Sequence, residues 1–357
     1  MMRDESAGAR RRGLKQEDIG RVLESVRSIL TAEDNSLRGA LCREILVNSL
    51  DVQHDDLDIL DLKVINRSMR EMRYAFKVFK PYRHIRKVSI FGSARTAEGS
   101  PYYRNAVKFA RMLSQKGFMV ITGAADGIMK AGNEGAGTGK SFGVNIRLPF
   151  EQGANEYIVD DPKLVTFKYF FTRKLIFVME SHATALFPGG FGTHDEGFEI
   201  LTLLQTEKAS PRPFLLMELP GETYWEGWDE FVKGQILARG FISPEDVSLY
   251  KIVHSPQTGV DEIRHFYSTY HSCRQARDKF VVRLEKELSP KAIEALNEEF
   301  SDLVTEGRIE KTDAFPEEAN EPELAAKPRI AFSYDHRSSA RLRQLIDRIN
   351  ELGRSAP

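Results

Sequence analysis

Apolar residues recur every three to four positions over residues 17–80. This spacing is typical of amphipathic helices, and no strand pattern interrupts it. One such helical face is formed by Ile19, Val22, Leu23, Val26 and Leu30. We therefore predict a helical N-terminal extension over residues 1–80. The charged start of the chain has no apolar stretch behind it, so we expect its first ~15 residues to be a disordered tail rather than a secretory signal.

From about residue 87 the pattern changes to short apolar runs that alternate with amphipathic stretches. Such alternation predicts βαβ units, in which helices cover both faces of a parallel sheet. The fold class is therefore α/β, with a Rossmann-like doubly wound parallel sheet over residues 81–271. The predicted strands are 88–91, 118–122, 142–146, 183–187 and 214–217, and the predicted helices are 102–116, 128–135, 170–180, 195–206 and 225–237.

After residue 272 the alternation stops. The remaining patterns predict strands at 280–284 and 329–332 and helices at 290–304 and 341–352. A stretch rich in Pro, Glu and Ala separates them and predicts an exposed loop. We therefore expect a small α+β C-terminal appendage over residues 272–357, without a catalytic motif of its own.

Charge and cysteine content narrow the possible partners. With 51 basic and 52 acidic residues the net charge is −1, so no global field would attract nucleic acid or a membrane surface. Cys42 and Cys273 are the only cysteines, which fits a reducing cytoplasm. No apolar run reaches the ~18 residues that a membrane span needs. The histidines and cysteines have no metal-ligand spacing, so we expect no metal.

Three of the predicted strands are followed by glycines, and ligands of parallel sheets gather at the carboxyl ends of strands. The first strand is followed by Gly92 and Ser93. Gly123 follows the second strand, and Gly127 lies a few residues further on. Small residues allow the backbone to approach a ligand closely, but the same residues also form ordinary tight turns. On their own, these two loops leave both interpretations open.

The most informative stretch is Pro-Gly-Gly-Phe-Gly-Thr-His-Asp-Glu at residues 188–196, between a predicted strand and a predicted helix. Glycines next to a helix start suit a phosphate, because unpaired N–H groups and the positive end of the helix dipole meet there. Glu196 places a carboxylate close to that phosphate. The predicted ligand-binding residues of this loop are Gly189, Gly190, Phe191, Gly192 and Thr193.

Arg173 and Lys174 lie on the predicted helix that precedes the fourth strand. The planar guanidinium of Arg173 could bind a phosphate or a carboxylate in the site. For an isolated Arg-Lys pair, a solvated helix face is the simpler interpretation.

Taken together, these motifs resemble the LOG (Lonely Guy) family, formerly labelled "lysine decarboxylase". The 188–196 stretch matches that family's P-G-G-x-G-T-x-x-E motif, and Arg173-Lys174 matches its R-K pair. Further similar segments are 91–95, 127–129, 148–152 and Asn155. Three positions depart from the family pattern, namely Asp126, His194 and Gly197.

The resemblance implies a nucleoside 5′-monophosphate phosphoribohydrolase. Such an enzyme cleaves the N-glycosidic bond of AMP or a cytokinin ribotide without a cofactor, and it usually forms dimers or larger assemblies. The family's catalytic pair carries over to Glu196 and Arg173, and Lys174 joins the substrate-binding residues. Arg173 could fix the phosphate, fix Glu196, or balance charge on the departing base.

Two other functions are compatible with the same motifs. A glycine-rich loop binds phosphate whether or not chemistry follows, so a non-catalytic nucleotide-binding or carrier protein is the main alternative. A pyridoxal phosphate decarboxylase would need a lysine that forms a Schiff base, and Lys174 is the only lysine near the motifs.

Overall fold

The computed structural model describes residues 16–31, 34, 36–148 and 153–354. The predicted disordered tail and most of the family-like 148–152 segment lie outside the described residues. The chain divides into two compact units, Met1–Met69 and Arg70–Pro357. The three-part division at residues 80 and 271 stays a prediction.

The first unit is helical, as predicted. It contains α1 (Gln16–Thr31), α2 (Leu37–Asp51) and the first half of α3 (Ile59–Phe79). The Ser36 hydroxyl accepts a hydrogen bond from the Gly39 N–H and so caps the start of α2.

The second unit is built on a seven-stranded parallel sheet with strand order β4-β3-β2-β1-β5-β6-β7. The strands are β1 (Lys87–Phe91), β2 (Met119–Thr122), β3 (Ser141–Ile146), β4 (Leu164–Phe167), β5 (Ala183–Leu186), β6 (Phe214–Met217) and β7 (Lys251–Val253). The helices between them are α4 (Pro101–Gln115), α5 (Ile128–Ala136), α6 (Phe170–Glu180), α7 (Phe191–Gln205), α8 (Tyr224–Phe231) and α9 (Pro256–Phe266).

Two apolar cores cover the two faces of this sheet. One contains side chains of α3, α6 and α7, including Phe79, Ile176 and Ile200. The other contains side chains of α4, α5 and α9, including Phe109 and Ala131. The predicted doubly wound α/β fold is therefore confirmed.

Several elements differ from the sequence prediction. Strands β4 and β7 and helix α9 were not predicted. The two strands lie at the edges of the sheet and are only partly buried, so they lack the continuous apolar run of the central strands. Helix α7 begins at Phe191 instead of Asp195, so the glycine-rich stretch enters the first helical turn. The predicted helix 225–237 is α8 followed by a π-helical segment, Val232–Leu237.

The C-terminal part is α+β, as expected. Its antiparallel sheet has the order β10-β11-β9-β8, formed by β8 (Tyr270–Ala276), β9 (Lys279–Leu284), β10 (Glu310–Lys311) and β11 (Arg329–Phe332). Helices α10 (Pro290–Glu299) and α11 (Ser339–Arg354) pack on it around a separate apolar core. Strands β8 and β10 were not predicted.

The strand order places a switch point between β1 and β5. These strands lie side by side, and from them the chain winds outward in opposite directions. The crevice at the carboxyl ends of such a pair is the usual ligand site of open α/β sheets.

Candidate active site

Three glycine-bearing loops meet at the switch point. The Ser93 N–H donates to the Pro188 carbonyl at 3.1 Å, which ties the loop after β1 to the loop after β5. The Ile128 N–H donates to the Ser93 carbonyl at 3.1 Å and adds the loop after β2. The carboxyl ends of β1, β2 and β5 thus form one connected surface.

Glycines allow these loops to approach so closely. Gly127 has φ +63°, and a Cβ there would lie 2.2 Å from the Ser93 carbonyl oxygen. A Cβ on Gly189 would lie 2.1 Å from the Thr193 Oγ1 atom. At Gly190 and Gly192, by contrast, an added Cβ would meet no described atom within 4 Å. The first two glycines therefore serve loop packing, whereas the last two leave room for a ligand.

A cleft of about 700 Å³ opens at this surface. Its lining includes all the predicted site residues except Gly127 and Lys174. The predicted residues that line it are Gly92, Ser93, Gly123, Arg173, Gly189, Gly190, Phe191, Gly192, Thr193 and Glu196.

Helix α7 points its N-terminus into the cleft, with Gly190 as its N-cap residue. The Thr193 N–H already donates to the Gly190 carbonyl at 3.0 Å. The N–H groups of Phe191 and Gly192 also belong to the first turn of α7. As the first N–H groups of a helix, these two have no carbonyl partner within it. Phe191 is 95% exposed as a residue, and its side chain is apolar. Its backbone N–H is therefore the group that can contribute to an anion site.

Glu196 lies in the second turn of α7, beneath the glycine-rich start of the helix. Glu196 is buried, with only 5% of its surface exposed. Burial raises the pKa of the Glu196 carboxyl to about 7, although the neighbouring Arg173 and Lys174 oppose this change. A carboxyl group with such a pKa can accept or hold a proton near neutral pH.

Arg173 reaches the cleft from α6 and is itself buried. Its Nε donates to the Val144 carbonyl of β3 at 3.0 Å, and its Nη1 lies 3.8 Å from the Glu196 Oε1. A Cβ on Gly123 would lie 2.8 Å from the Arg173 Nη2, so glycine is needed there for the guanidinium to pass. Of the three roles open to Arg173, this geometry favours contact with Glu196.

Lys174 occupies a different position. Its Nζ lies 2.8 Å from the Asp195 carboxylate and 2.5 Å from that of Glu199. Although burial acts against it, these two carboxylates raise the pKa of the Lys174 amine. A Schiff base needs a neutral amine, so this environment disfavours the decarboxylase hypothesis. Substrate binding by Lys174 stays a prediction, and its observed contacts are those of a link between α6 and α7.

Sequence reasoning missed two polar residues that hold the site in place. Buried Glu71 on α3 accepts hydrogen bonds from the Lys168 N–H at 2.8 Å and the Thr172 hydroxyl at 2.9 Å, next to Arg173. The Asn155 amide donates to the Ala124 carbonyl at 3.0 Å and so holds the loop after β2. Asn155 was noted only for its family resemblance, and the helical pattern around Glu71 gave no sign of a buried carboxylate.

Arg95 was also missed as a site residue. It is exposed, it lines the cleft, and its N–H donates to the Ser93 hydroxyl at 3.1 Å. The only sequence signal was its position in the family-like segment 91–95.

The three departures from the family pattern have distinct positions. Asp126 is exposed and is not among the residues that line the cleft. The His194 Nε2 lies 2.7 Å from the Tyr224 hydroxyl, which in turn donates to the Gly189 carbonyl. Burial lowers the pKa of His194, which favours its neutral form. A Cβ on Gly197 would lie 2.7 Å from a Leu186 methyl group, so this glycine allows α7 to lie close to β5.

Within the parts of the chain that the structure describes, no three His, Cys, Asp or Glu side chains are grouped so that they could hold a metal ion. Nor does any described helix combine the length and apolar character needed to cross a membrane.

The fold and cleft define a Rossmann-like α/β protein with a glycine-lined cleft at the switch point of its sheet. Residues 121–263 match the family model described as "Possible lysine decarboxylase". The match lies within the predicted α/β region, and the resemblance found in the sequence is confirmed. A comparison with curated proteins finds no match.

Among solved structures, the chain is similar to a molybdenum cofactor binding protein from Rippkaea orientalis, with 17% identity and a TM-score of 0.37 over 50% of this chain and 96% of that one. The protein TM1055 shows 18% identity and a TM-score of 0.36 over 50% and 99% of the two chains. The molybdenum cofactor carrier protein from Chlamydomonas reinhardtii shows 16% identity and a TM-score of 0.36 over 50% and 96%.

Proposed function

We propose that the protein hydrolyses the N-glycosidic bond of a nucleoside 5′-monophosphate, of the AMP or cytokinin ribotide type. The products would be a free base and ribose 5-phosphate. One observation carries this proposal: a buried carboxylate, Glu196, lies on the same helix whose glycine-rich start opens into the cleft. Such an arrangement can hold a phosphate at one point and act on the attached sugar at another.

The helix start would bind the 5′-phosphate. The N–H groups of Phe191 and Gly192 and the dipole of α7 favour an anion there. Arg95 lines the same cleft and can add a cationic contact from its rim. A phosphate held there would fix the position of the sugar relative to Glu196. Binding of the phosphate would thus orient the bond that reacts.

Glycosidic cleavage passes through a state in which positive charge develops at the anomeric carbon. The Glu196 carboxylate would stabilise this charge and accept a proton from the attacking water. The water oxygen then bonds to the anomeric carbon while the carbon–nitrogen bond breaks. The electron pair of that bond leaves with the base, which takes up a proton.

Arg173 would act on this reaction through Glu196. Its guanidinium is held by the Val144 carbonyl and lies near the carboxylate, so it favours the ionised form that the reaction needs. Without this cation, the pKa of Glu196 would be higher, because burial would be opposed less strongly.

We also propose that the protein forms a homodimer or a larger homo-oligomer. The support is a set of apolar side chains on α6 that remain exposed, namely Phe170, Phe171, Leu175 and Met179. Light scattering after size-exclusion chromatography should give a mass of at least twice 40.6 kDa. A monomeric mass at micromolar concentration would contradict this assignment.

The test of the activity is a substrate panel. Purified protein is incubated with AMP, GMP, CMP and a cytokinin ribotide, and free base is measured by chromatography. We expect base release from at least one nucleotide and none above background from a Glu196→Gln variant. Tight nucleotide binding without release, unchanged by that substitution, would instead show a carrier.

A further inference from the structure

A second cleft, of about 1180 Å³, lies at the opposite edge of the parallel sheet. Arg86 and His182 line it directly before β1 and β5 begin, and Arg212 lines it shortly before β6. Its other wall comes from the antiparallel sheet and includes Cys273 and Arg283. Because all seven strands are parallel, this amino edge is remote from the glycine loops at the carboxyl edge.

Arg212 is a buried cation in the wall of this cleft, with only 7% of its surface exposed. Its Nη1 donates to the Val178 carbonyl at 2.7 Å and the Ser181 carbonyl at 2.6 Å, and its Nε donates to the Ser210 carbonyl at 3.2 Å. The Nη2 is the nitrogen that is left for a ligand. Among the described residues, no carboxylate lies within ion-pair distance of it. A buried charge is costly unless an opposite charge compensates it, so this guanidinium is suited to an anionic ligand.

The side chains that line the cleft carry an excess of positive charge. Three glutamates line it, compared with five arginines, which are Arg83, Arg86, Arg212, Arg274 and Arg283. Two of these glutamates are already paired. Glu285 lies 3.3 Å from Arg86, and Glu321 lies 2.7 Å from both Arg274 and Arg283.

Arg83 and Arg212 are the two arginines of the cleft that make no ion pair with a carboxylate of the described chain. Arg83 is exposed, so it is accessible from the cleft mouth. The third glutamate, Glu323, is also exposed. An anion that enters the cleft would therefore meet one accessible cation and one buried cation.

Two histidines of the cleft respond to the same positive field. Burial, followed by the charges of Lys87 and Arg86, lowers the pKa of His182 to about 3. Burial and Arg86 lower the pKa of His271 to about 4. At neutral pH both imidazoles are uncharged and can donate one N–H to a ligand.

We propose that this amino-edge cleft is a second anion site, which binds a small phosphorylated molecule through Arg212 and Arg83. A phosphate group has several acceptor oxygens, which suits the forked donors of arginine and the neighbouring imidazoles. The cleft is larger than a phosphate group needs, so the ligand class is a phosphate ester or a polyphosphate. This proposal does not rest on the proposed hydrolase activity.

Helix α6 connects this site with the catalytic cleft. Arg173 lies near its start, and the Val178 carbonyl near its end accepts the hydrogen bond from Arg212. An anion bound to Arg212 would therefore contact the same helix that positions Arg173.

The test uses inorganic pyrophosphate as the probe and isothermal titration calorimetry of the full chain. A Gly190→Asp background removes binding at the carboxyl edge, because it places a carboxylate at the start of α7. In this background we expect one site per chain. Arg83→Glu should weaken the affinity at least tenfold, and the exposed Arg111→Glu on α4 should leave it unchanged.

A second variant, Arg212→Lys, keeps the charge but removes the Nη2 donor of the guanidinium, and we expect it to weaken binding about tenfold. Circular dichroism checks that each variant is folded. If Arg212→Lys is not folded, the affinity of Arg83→Glu for pyrophosphate decides the result. The proposal is overturned if pyrophosphate does not bind in the Gly190→Asp background. It is equally overturned if Arg83→Glu binds pyrophosphate as tightly as Arg111→Glu.

Discussion

The two edges of the parallel sheet present opposite chemistry. At the carboxyl edge, the buried charge in the cleft is a carboxylate, Glu196, and Arg173 lies 3.8 Å from it. At the amino edge, two buried arginines line the cleft: Arg283 is paired with glutamates, whereas Arg212 has carbonyl partners but no carboxylate within ion-pair distance in the described chain. One edge therefore holds a buried carboxylate next to a cation, whereas the other holds a buried cation without a carboxylate partner.

The difference follows from the direction of the strands. At the carboxyl edge the chain leaves a strand and enters a helix, so backbone N–H groups point towards a ligand and glycines leave room for it. At the amino edge the chain leaves a helix, whose carbonyls accumulate negative partial charge. The Val178 and Ser181 carbonyls at the end of α6 stabilise Arg212 in this way. Because the backbone presents carbonyls there, the groups that bind an anion at the amino edge have to be side chains.

The largest effect should come from removing the carboxylate of the carboxyl edge. Glu196→Gln retains the size of the side chain but cannot accept a proton from water. We expect kcat for base release to fall by about 10²–10⁴-fold, the usual contribution of a general base. Steady-state kinetics with AMP measures this change. Arg111→Glu serves as a control of unchanged activity, and a fall of less than tenfold would assign the chemistry to another group.

The next prediction concerns the cation next to that carboxylate. Arg173→Gln removes the charge that lowers the pKa of Glu196, so this pKa should rise above about 7. The acidic limb of the kcat/KM profile should then move to higher pH, and activity at pH 7 should fall about tenfold for each unit of movement. Arg173→Lys should restore part of the original profile. A uniform loss of activity with an unchanged limb would indicate that Arg173 binds substrate instead.

The raised pKa of Glu196 also predicts how stability depends on pH. The folded state holds the proton more tightly than the unfolded state, whose pKa is near 4.5. The stabilisation is therefore complete below pH 4.5 and is lost as the pH rises through about 7. Relative to Glu196→Gln, the wild type should lose up to about 3 kcal/mol of unfolding free energy over this range. Urea titrations at pH 4.5 and pH 8 measure it, and an equal difference at both would contradict the assignment.

A matched glycine pair tests the distinction between loop packing and ligand space. Gly189→Ala places a methyl group against the Thr193 hydroxyl, and we expect a loss of about 1–3 kcal/mol in unfolding free energy. Gly190→Ala places it in open space and should change stability by less than about 0.5 kcal/mol. Denaturant unfolding of both variants measures the two changes in unfolding free energy. Equal losses of unfolding free energy would show that the loop is not packed as described.

The smallest effect is expected at the rim of the carboxyl-edge cleft. Arg95 is exposed, so its contact with a phosphate is screened by water. Arg95→Ala should raise KM about threefold to tenfold, which corresponds to about 1 kcal/mol, and leave kcat nearly constant. A change in kcat with constant KM would instead place Arg95 in contact with the transition state.

The sequence predicted the elements that carry strong periodic patterns. The central strands and helices α4, α6 and α11 were found, because buried apolar runs and amphipathic stretches are local signals. Edge strands β4 and β7 are only partly buried and lack such an apolar run. Helix α7 was predicted to begin four residues late, because glycines usually mark loops and here they form its first turn.

Most of the residues that the motifs named lie together in one cleft. Residues 189–196 and Arg173 line it with Gly92 and Gly123, whereas Gly127 and Lys174 do not. Glu71 and Asn155 were not assigned to the site because their role depends on contacts between elements far apart in the chain. The amino-edge cleft was missed for the same reason. Its arginines are scattered from residue 83 to residue 283, and only the fold brings them together.

In the proposed function, the carboxyl-edge cleft converts a nucleotide and does not merely hold it. A single-turnover experiment with protein in excess over radiolabelled AMP, followed by separation of adenine from AMP, distinguishes the two. We predict that bound AMP is converted to adenine and ribose 5-phosphate by the wild type and is recovered intact from Glu196→Gln. Recovery of intact AMP from a stoichiometric wild-type complex would contradict it and would identify a carrier.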